Sequence, residues 1–144
     1  MITFRPMLTQ TEWRWFKERT SVNFMEDTVG IIAYETNDES ILGCCVADDF
    51  GVDNCNAHIA LDNPMVLRKG FLNEVAEWLF VGNERLRIFA WIPSSNHKSL
   101  KFAQNVGFTK KCVIEHGNSE GIDTVVMVMH RDDCPWLDEG RRVA

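Results

Sequence analysis

The chain has 144 residues, 45% hydrophobic and 25% charged, the size and balance of one globular domain whose folding buries roughly 68–70% of its unfolded surface. Nine glycines and four prolines are too few for a collagen-like or low-complexity chain, and the apolar content is too high for a disordered one. A net charge of −6 argues against a general affinity for nucleic acid, and no apolar run approaches the ~18 residues of a membrane span.

Ile2 to Pro6 reads as a short strand, and Thr9 followed by Glu12 three residues later is a capping box that opens a helix through Trp13, Trp15 and Phe16. Thr28 to Thr36 is rich in β-formers and stops at the turn cluster Asn37 to Ser40. Ser40 to Phe50 returns as the second arm of a hairpin. A further turn at Gly51 to Asn54 leads into Asn56 to Leu61, which completes an antiparallel meander. Cys44 and Cys45, adjacent on a strand, point to opposite faces.

The period then changes. Phe71, Val75 and Trp78, or Leu72, Ala76 and Leu79, share a helical face, so the spacing predicts a helix over Phe71 to Val81. Arg85 to Ile92 is the next strand, and His97 to Val106 a helix capped by Gly107. Phe108 to Glu115 and Thr124 to His130 are two more strands around a turn at Gly117 to Gly121. Residues 131–144, with Pro135 and a high charge density, read as a loose polar tail behind a single domain spanning 1–130. This order implies an α/β (α+β) fold: a mixed, mostly antiparallel sheet with one central parallel strand pair and helices on both faces. The parallel pair joins Asn56–Leu61 to Arg85–Ile92, and a ligand crevice is expected at its carboxyl ends.

Five cysteines, irregularly spaced and without a CxxC, look like reduced thiols rather than a disulfide framework or a zinc site. The N-terminus lacks a basic segment followed by an apolar one, so a cytoplasmic location is expected. His97, His116 and His130 have no carboxylate or cysteine at ligand spacing, and no metal is expected. Ser94-Ser95 lacks the Gly-x-Ser-x-Gly elbow of a serine hydrolase. Charge is divided along the chain. Thr20 to Pro64 holds nine carboxylates and no Lys or Arg, whereas Leu67 to Lys111 holds eight Lys or Arg against three glutamates. One reading is solvated faces that happen to segregate; the other is a cationic ligand on one half and a polyanionic ligand on the other.

The element order, together with ALDNPMVLRKGFLNEVAEWLF and IPSSNHKSLKFAQNVGF, resembles the GNAT superfamily of acetyl-CoA-dependent N-acetyltransferases over nearly the whole chain. Members show a Val-Asp-Pro-like turn, then Arg/Gln-x-x-Gly-x-Gly/Ala opening a helix. Leu61-Asp62 and Pro64 match the turn and Gly70 the middle glycine, while Leu67 and Leu72 depart from the signature. In the second block, Asn-x-x-Ala-x-x-Leu-Tyr-Glu-Lys-x-Gly-Phe, the positions Asn96, Ser99, Phe102, Gly107 and Phe108 fall in register, and Ala103 replaces the tyrosine that commonly protonates the departing thiolate. The shortness and the degraded glycine signature are similar to compact members encoded by tailed phages and prophages, including a class that doubles as an internal virion protein.

The resemblance implies acetyl-CoA as cosubstrate and acetyl transfer directly to a primary amine of a small molecule or protein, with no metal, nucleic acid or membrane as partner and with a homodimer left open. Arg68, Lys69, Gly70 and Phe71 would meet the phosphates at a helix N-terminus, Asn96 and Ser99 the pantetheine or pyrophosphate, and the backbone N–H near Leu61 the oxyanion. A cationic amine must lose a proton before it attacks, and His58 and Asp53 are the candidate bases. Asp48 and Asp49 are candidates to hold the ammonium group. The other reading is a GNAT-fold binding or phage virion-associated protein that kept the sheet and lost the chemistry, hosted in a bacterium or a phage-infected cell.

Overall fold

The computed structural model describes residues 1–138 and 140. Seven strands form one sheet: β1 (Ile2–Pro6), β2 (Val29–Glu35), β3 (Ile41–Asp48), β4 (Asn54–Leu61), β5 (Arg87–Pro93), β6 (Thr109–Ile114) and β7 (Thr124–His130), in spatial order β1-β2-β3-β4-β5-β7-β6. All neighbours are antiparallel except β4 and β5. Three α-helices among the described residues accompany the sheet: α1 (Gln10–Arg19), α2 (Phe71–Ala76) and α3 (His97–Val106).

The strand period divides the core. Ile32, Cys44, Val46 and Ala60 pack against Met7 and Phe16 on the α1 face. Ile31, Cys45, Cys55 and Ile88 pack with Phe71, Val75, Leu79 and Phe80 on the other. Cys44 and Cys45 are both fully buried, on opposite faces, because β3 is covered from both sides. α3 lies on the α2 side, where Ala103 meets Ile92, Val125 and Met127. Phe16, Phe71 and Phe80 are the largest fully buried side chains, each contributing about 1.5–3 kcal/mol of burial.

Three segments depart from the sequence reading. Pro64–Lys69 is a 3-10 helix started by Asn63, whose side chain accepts from Met65 N at 3.0 Å. The helix expected over Phe71 to Val81 is α-helical only to Ala76 and continues as a π-helix over Glu77–Gly82. Its wider turn lets consecutive Leu79 and Phe80 both enter the core, and Asn83 closes it by donating both its backbone N–H and its side-chain amide to Trp78 O. Finally, the stretch read as a loose tail begins by packing on the core. Cys134 and Leu137 are buried, and Trp136 Nε1 donates to Val106 O at 2.8 Å. Apolar side chains spaced among charges find the α2–α3 groove, a long-range contact that local composition does not record; residues 139 and 141–144 of that tail lie outside the described residues.

Candidate active site

β4 and β5 pair over three positions only, Asn54 with Arg87, Cys55 with Ile88 and Asn56 with Phe89. Beyond them each strand stays bonded to its other neighbour, β4 to β3 through Leu61 and β5 to β7 through Pro93. The pair therefore splays toward its carboxyl ends and opens a cleft of about 520 Å³. Ala57, His58 and Ile59 line one wall and Ala90 to Pro93 the other. Asn96, Ser99, Phe102 and Ala103 come from α3, and Glu18 to Val22 from the end of α1 and the loop after it.

The splay frees backbone groups. Asp62 N donates to Leu42 O on β3 at 3.0 Å, and successive N–H groups along a strand alternate in direction. The N–H groups of Ile59 and Leu61 thus point to the side that β5 has vacated, the arrangement needed to meet a developing oxyanion.

His58 lies in the cleft wall with Nε2 3.0 Å from Asp48 Oδ1. Asp48 is buried at the end of β3, so it is taken up by His58 rather than offered to solvent; Asp49 is exposed, at a positive φ of 51°. Asp53, the alternative base, is at the closed end of the parallel pair and does not line the cleft. Its carboxylate is ion-paired with Arg87, which holds its pKa below the usual carboxylate range with help from the Asn54 amide. A carboxylate so neutralised at the far end of β4 is a joint between β4 and β5, not a base.

The phosphate candidates sit in the connection leaving the same end of β4. Arg68 and Lys69 are exposed and make no ion pair among the described residues. Gly70 adopts φ 85°, ψ 14° between the 3-10 turn and α2, and a Cβ built there would meet nothing within 4 Å. The glycine is therefore required by its left-handed backbone rather than by crowding, and it leaves open space over the N–H groups of the next turn. Across the cleft, Asn96 is the N-cap of α3, its Oδ1 accepting from Ser99 N at 3.1 Å. The Ser99 hydroxyl lines the cleft without a partner among the described residues. Phe102 lines it and also packs on the core. At Ala103 the wall is a methyl group.

Two further cleft features lie outside the sequence reading. Arg19 reaches the cleft from the last turn of α1 and pairs with Asp62. Trp91, 46% exposed, lines the β5 wall and donates from Nε1 to Asn56 Oδ1 at 2.9 Å. Neither has a local signature, since both depend on which strand ends meet.

No cysteine is positioned as a nucleophile in this cleft. Burial pushes the Cys44 and Cys55 thiols up to about 12 and Cys45 well above its ordinary value, and exposed Cys112 is on edge strand β6. Among the described residues no group of three His, Cys, Asp or Glu is placed to hold a metal, and no helix is long and apolar enough to cross a membrane.

No protein-family profile matches the sequence, and no curated protein matches it in sequence. Solved structures do match in shape. Spermidine/spermine N-acetyltransferase SpeG from Vibrio cholerae, in complex with manganese ions, aligns with TM-score 0.72 at 11% identity over 90% of this chain and 92% of its own. A SpeG mutant from the same organism aligns with the same score and identity over 99% and 96%. Ribosomal-protein-S5-alanine acetyltransferase from Vibrio fischeri aligns with TM-score 0.59 at 18% identity over 76% and 63%. The chain has the fold of the GNAT N-acetyltransferases.

Proposed function

We propose that this chain is an N-acetyltransferase that moves the acetyl group of acetyl-CoA directly to a primary amine of a small molecule or protein, in the cytoplasm. The observation that carries this reading is the splayed end of the parallel pair. There His58, Ile59 with its N–H on the side that β5 has vacated, and Ser99 line one cleft between two helix-opening connections. Acetyl-CoA supplies a thioester, an acyl group that an amine can attack without a covalent enzyme intermediate, and the high-lying buried thiols agree with direct transfer.

The fit of this chain to such a donor rests on Arg68 and Lys69, cations without an ion-pair partner among the described residues, and on the open space at the Gly70 Cβ position. Asn96 and Ser99 would border the arm of the donor. His58 takes a proton from the acceptor nitrogen as that nitrogen bonds the carbonyl carbon; the C–S bond breaks and the sulfur leaves as thiolate. Ala103 offers no hydroxyl there, so the thiolate is protonated from water or from the imidazolium. The acceptor side is acidic: Asp27 accepts from Phe50 N at 2.9 Å, which fixes the loop after α1 beside Asp48 and Asp49, and Glu18 lines the cleft. A field of that sign attracts an ammonium substrate.

The test is acetyl transfer to a panel of amines and N-terminal peptides, with acetyl-CoA binding measured separately by calorimetry. Transfer that falls ~10²-fold or more in His58→Gln near neutral pH, with unchanged acetyl-CoA affinity, supports the reading. Binding without transfer to any acceptor identifies a GNAT-fold binding protein, and no binding at millimolar acetyl-CoA overturns both.

A further inference from the structure

Asp48 and His58 lie two register positions apart on facing strands. β3 and β4 pair Val46 with His58 and Asp48 with Asn56, so the two side chains share the α1 face of the sheet and meet diagonally, Nε2 to Oδ1 at 3.0 Å. Asp48 is 7% exposed, and His58 is its ion-pair partner among the described residues. A carboxylate buried this far needs a hydrogen-bonding or charged neighbour. The same bond bears on the chemistry of the ring. An ionised carboxylate only accepts, so the contact calls for the proton on Nε2, and in the neutral ring that leaves the lone pair on Nδ1. Nδ1 has no partner among the described residues, and it is not among the buried polar atoms left without one. It therefore keeps solvent-accessible surface, on a side chain that lines the cleft.

We propose that Asp48 is a positioning residue for His58: it holds the ring in the Nε2-protonated tautomer, aims the Nδ1 lone pair at the acceptor nitrogen, and stabilises the imidazolium that forms when the proton arrives. The proposal rests on the reading of His58 as the base. The charged groups that face His58 are few. α1 contributes Glu18 and Arg19, the latter neutralised by Asp62, β3 contributes Asp48, and the cleft-lining residues of β5 and α3 carry no charge. An ammonium substrate gives its first proton to water; the neutral amine then bonds the carbonyl carbon, and the proton that the adduct's cationic nitrogen loses arrives at Nδ1, so charge balances as that nitrogen becomes neutral and the imidazolium–carboxylate pair is created. The proton then passes to water or to the departing thiolate, which returns the ring to its starting tautomer.

Three measurements on the full chain test this. Long-range 1H–15N spectra of the wild type above the acid limb should show His58 protonated at Nε2; an Nδ1-protonated ring overturns the proposal without any variant. In Asp48→Asn the imidazolium loses its counter-charge, so the acid limb of kcat/KM should move down by about one pH unit while the plateau falls about tenfold. Asp48→Glu, which restores the charge, should recover part of the limb position. An Asp48→Asn enzyme with wild-type acetyl-CoA affinity and a wild-type pH profile overturns the positioning role. A limb that vanishes in His58→Gln but stays fixed in Asp48→Asn rejects Asp48 alone, whereas a limb unchanged in His58→Gln rejects the base and the proposal with it.

Discussion

The Arg19 guanidinium closes on the Asp62 carboxylate through two parallel bonds, Nε to Oδ1 and Nη2 to Oδ2, both 2.7 Å, and so ties the last turn of α1 to the turn that ends β4. The same guanidinium lies 3.9 Å over the Trp15 ring and donates from Nη1 to Trp15 O. This places a clamp across one side of the cleft, at the point where β4 has parted from β5.

Both partners are partly exposed, so the pair contributes no more than about 1 kcal/mol to folding. Its larger effect is on the wall formed by Glu18 to Val22. Arg19→Ala should lower stability by about 1 kcal/mol or less while raising the KM for the amine several-fold more than that for acetyl-CoA, measured by urea unfolding and by initial rates with each substrate varied. Equal effects on both KM values would remove the clamp from the acceptor side. Arg19 also holds Asp62 below the usual carboxylate range through its bidentate bond. The tie is therefore present above the ordinary Asp value of ~3.9 and lost as pH falls through the lowered one.

Arg68 and Lys69 serve as a test of the donor side. Exposed and without ion pairs, they contribute little to stability. The double substitution to alanine should leave unfolding within about 0.5 kcal/mol of wild type and weaken acetyl-CoA binding by tenfold or more, with a shallower dependence of Kd on salt. Unchanged affinity across 50–500 mM salt, a range chosen to span roughly a threefold change in screening length, would show these cations to be solvated surface.

How much of this was legible in the sequence depends on the range of the contact. The period-2 runs, the Thr9/Glu12 capping box and the Gly107 stop are local signals, and the strands, α1 and the bounds of α3 follow them. The π turn at Glu77–Gly82 has no local signal, because it arises from fitting Leu79 and Phe80 together into the core. Asn63-Pro64 was read only as a turn ending the strand, although an Asn cap followed by Pro at N1 is a local helix-start signal and the 3-10 helix begins there. The Asp48–His58 bond was half legible: a turn centred on Val52 and Asp53, closed by Gly51 N to Asn54 O at 2.8 Å, sets the register that brings them together. Asp53 illustrates the converse. Its sequence neighbours are acidic, yet its partner, Arg87, comes from the basic half across the parallel pair, so a charge split along the chain is partly joined in space. Cys134, Trp136 and Leu137 were hidden by the charges among them.

Asn96 and Ser99 are adjacent in the site but differ in what they do for the fold. The Asn96 side chain caps α3 by accepting from Ser99 N, so Asn96→Ala should cost about 1 kcal/mol. The Ser99 hydroxyl bonds nothing among the described residues, and Ser99→Ala should leave stability within about 0.5 kcal/mol while reducing acetyl-CoA affinity or turnover several-fold. Thermal unfolding and calorimetry on the two variants separate the roles; a Ser99→Ala protein with wild-type binding and turnover would assign that hydroxyl to the surface.

Glu12 contributes to the acid sensitivity of the fold. Its side chain is 5% exposed and accepts from Leu8 N at 2.8 Å and Thr9 N at 3.0 Å, while Thr9 Oγ1 accepts from Glu12 N at 3.2 Å and Arg5 pairs with its other oxygen. Burial by itself would raise its pKa, but the two amide N–H groups and the Arg5 guanidinium outweigh that effect and hold the carboxyl below its ordinary value. A depressed folded pKa contributes stability that is present above the unfolded value and is lost as pH falls through the folded one. Charge-assisted bonds of this kind contribute about 1.5–3 kcal/mol, so Glu12→Gln should lower unfolding free energy by that order at pH 7. The gap between variant and wild type should then narrow below pH ~4, where the unfolded carboxyl, and then the folded one, takes up its proton. Urea unfolding of both proteins at pH 7, 5 and 3.5 measures it. A gap that stays constant with pH would mean that the cap acts through its geometry alone, with no contribution from the Glu12 charge.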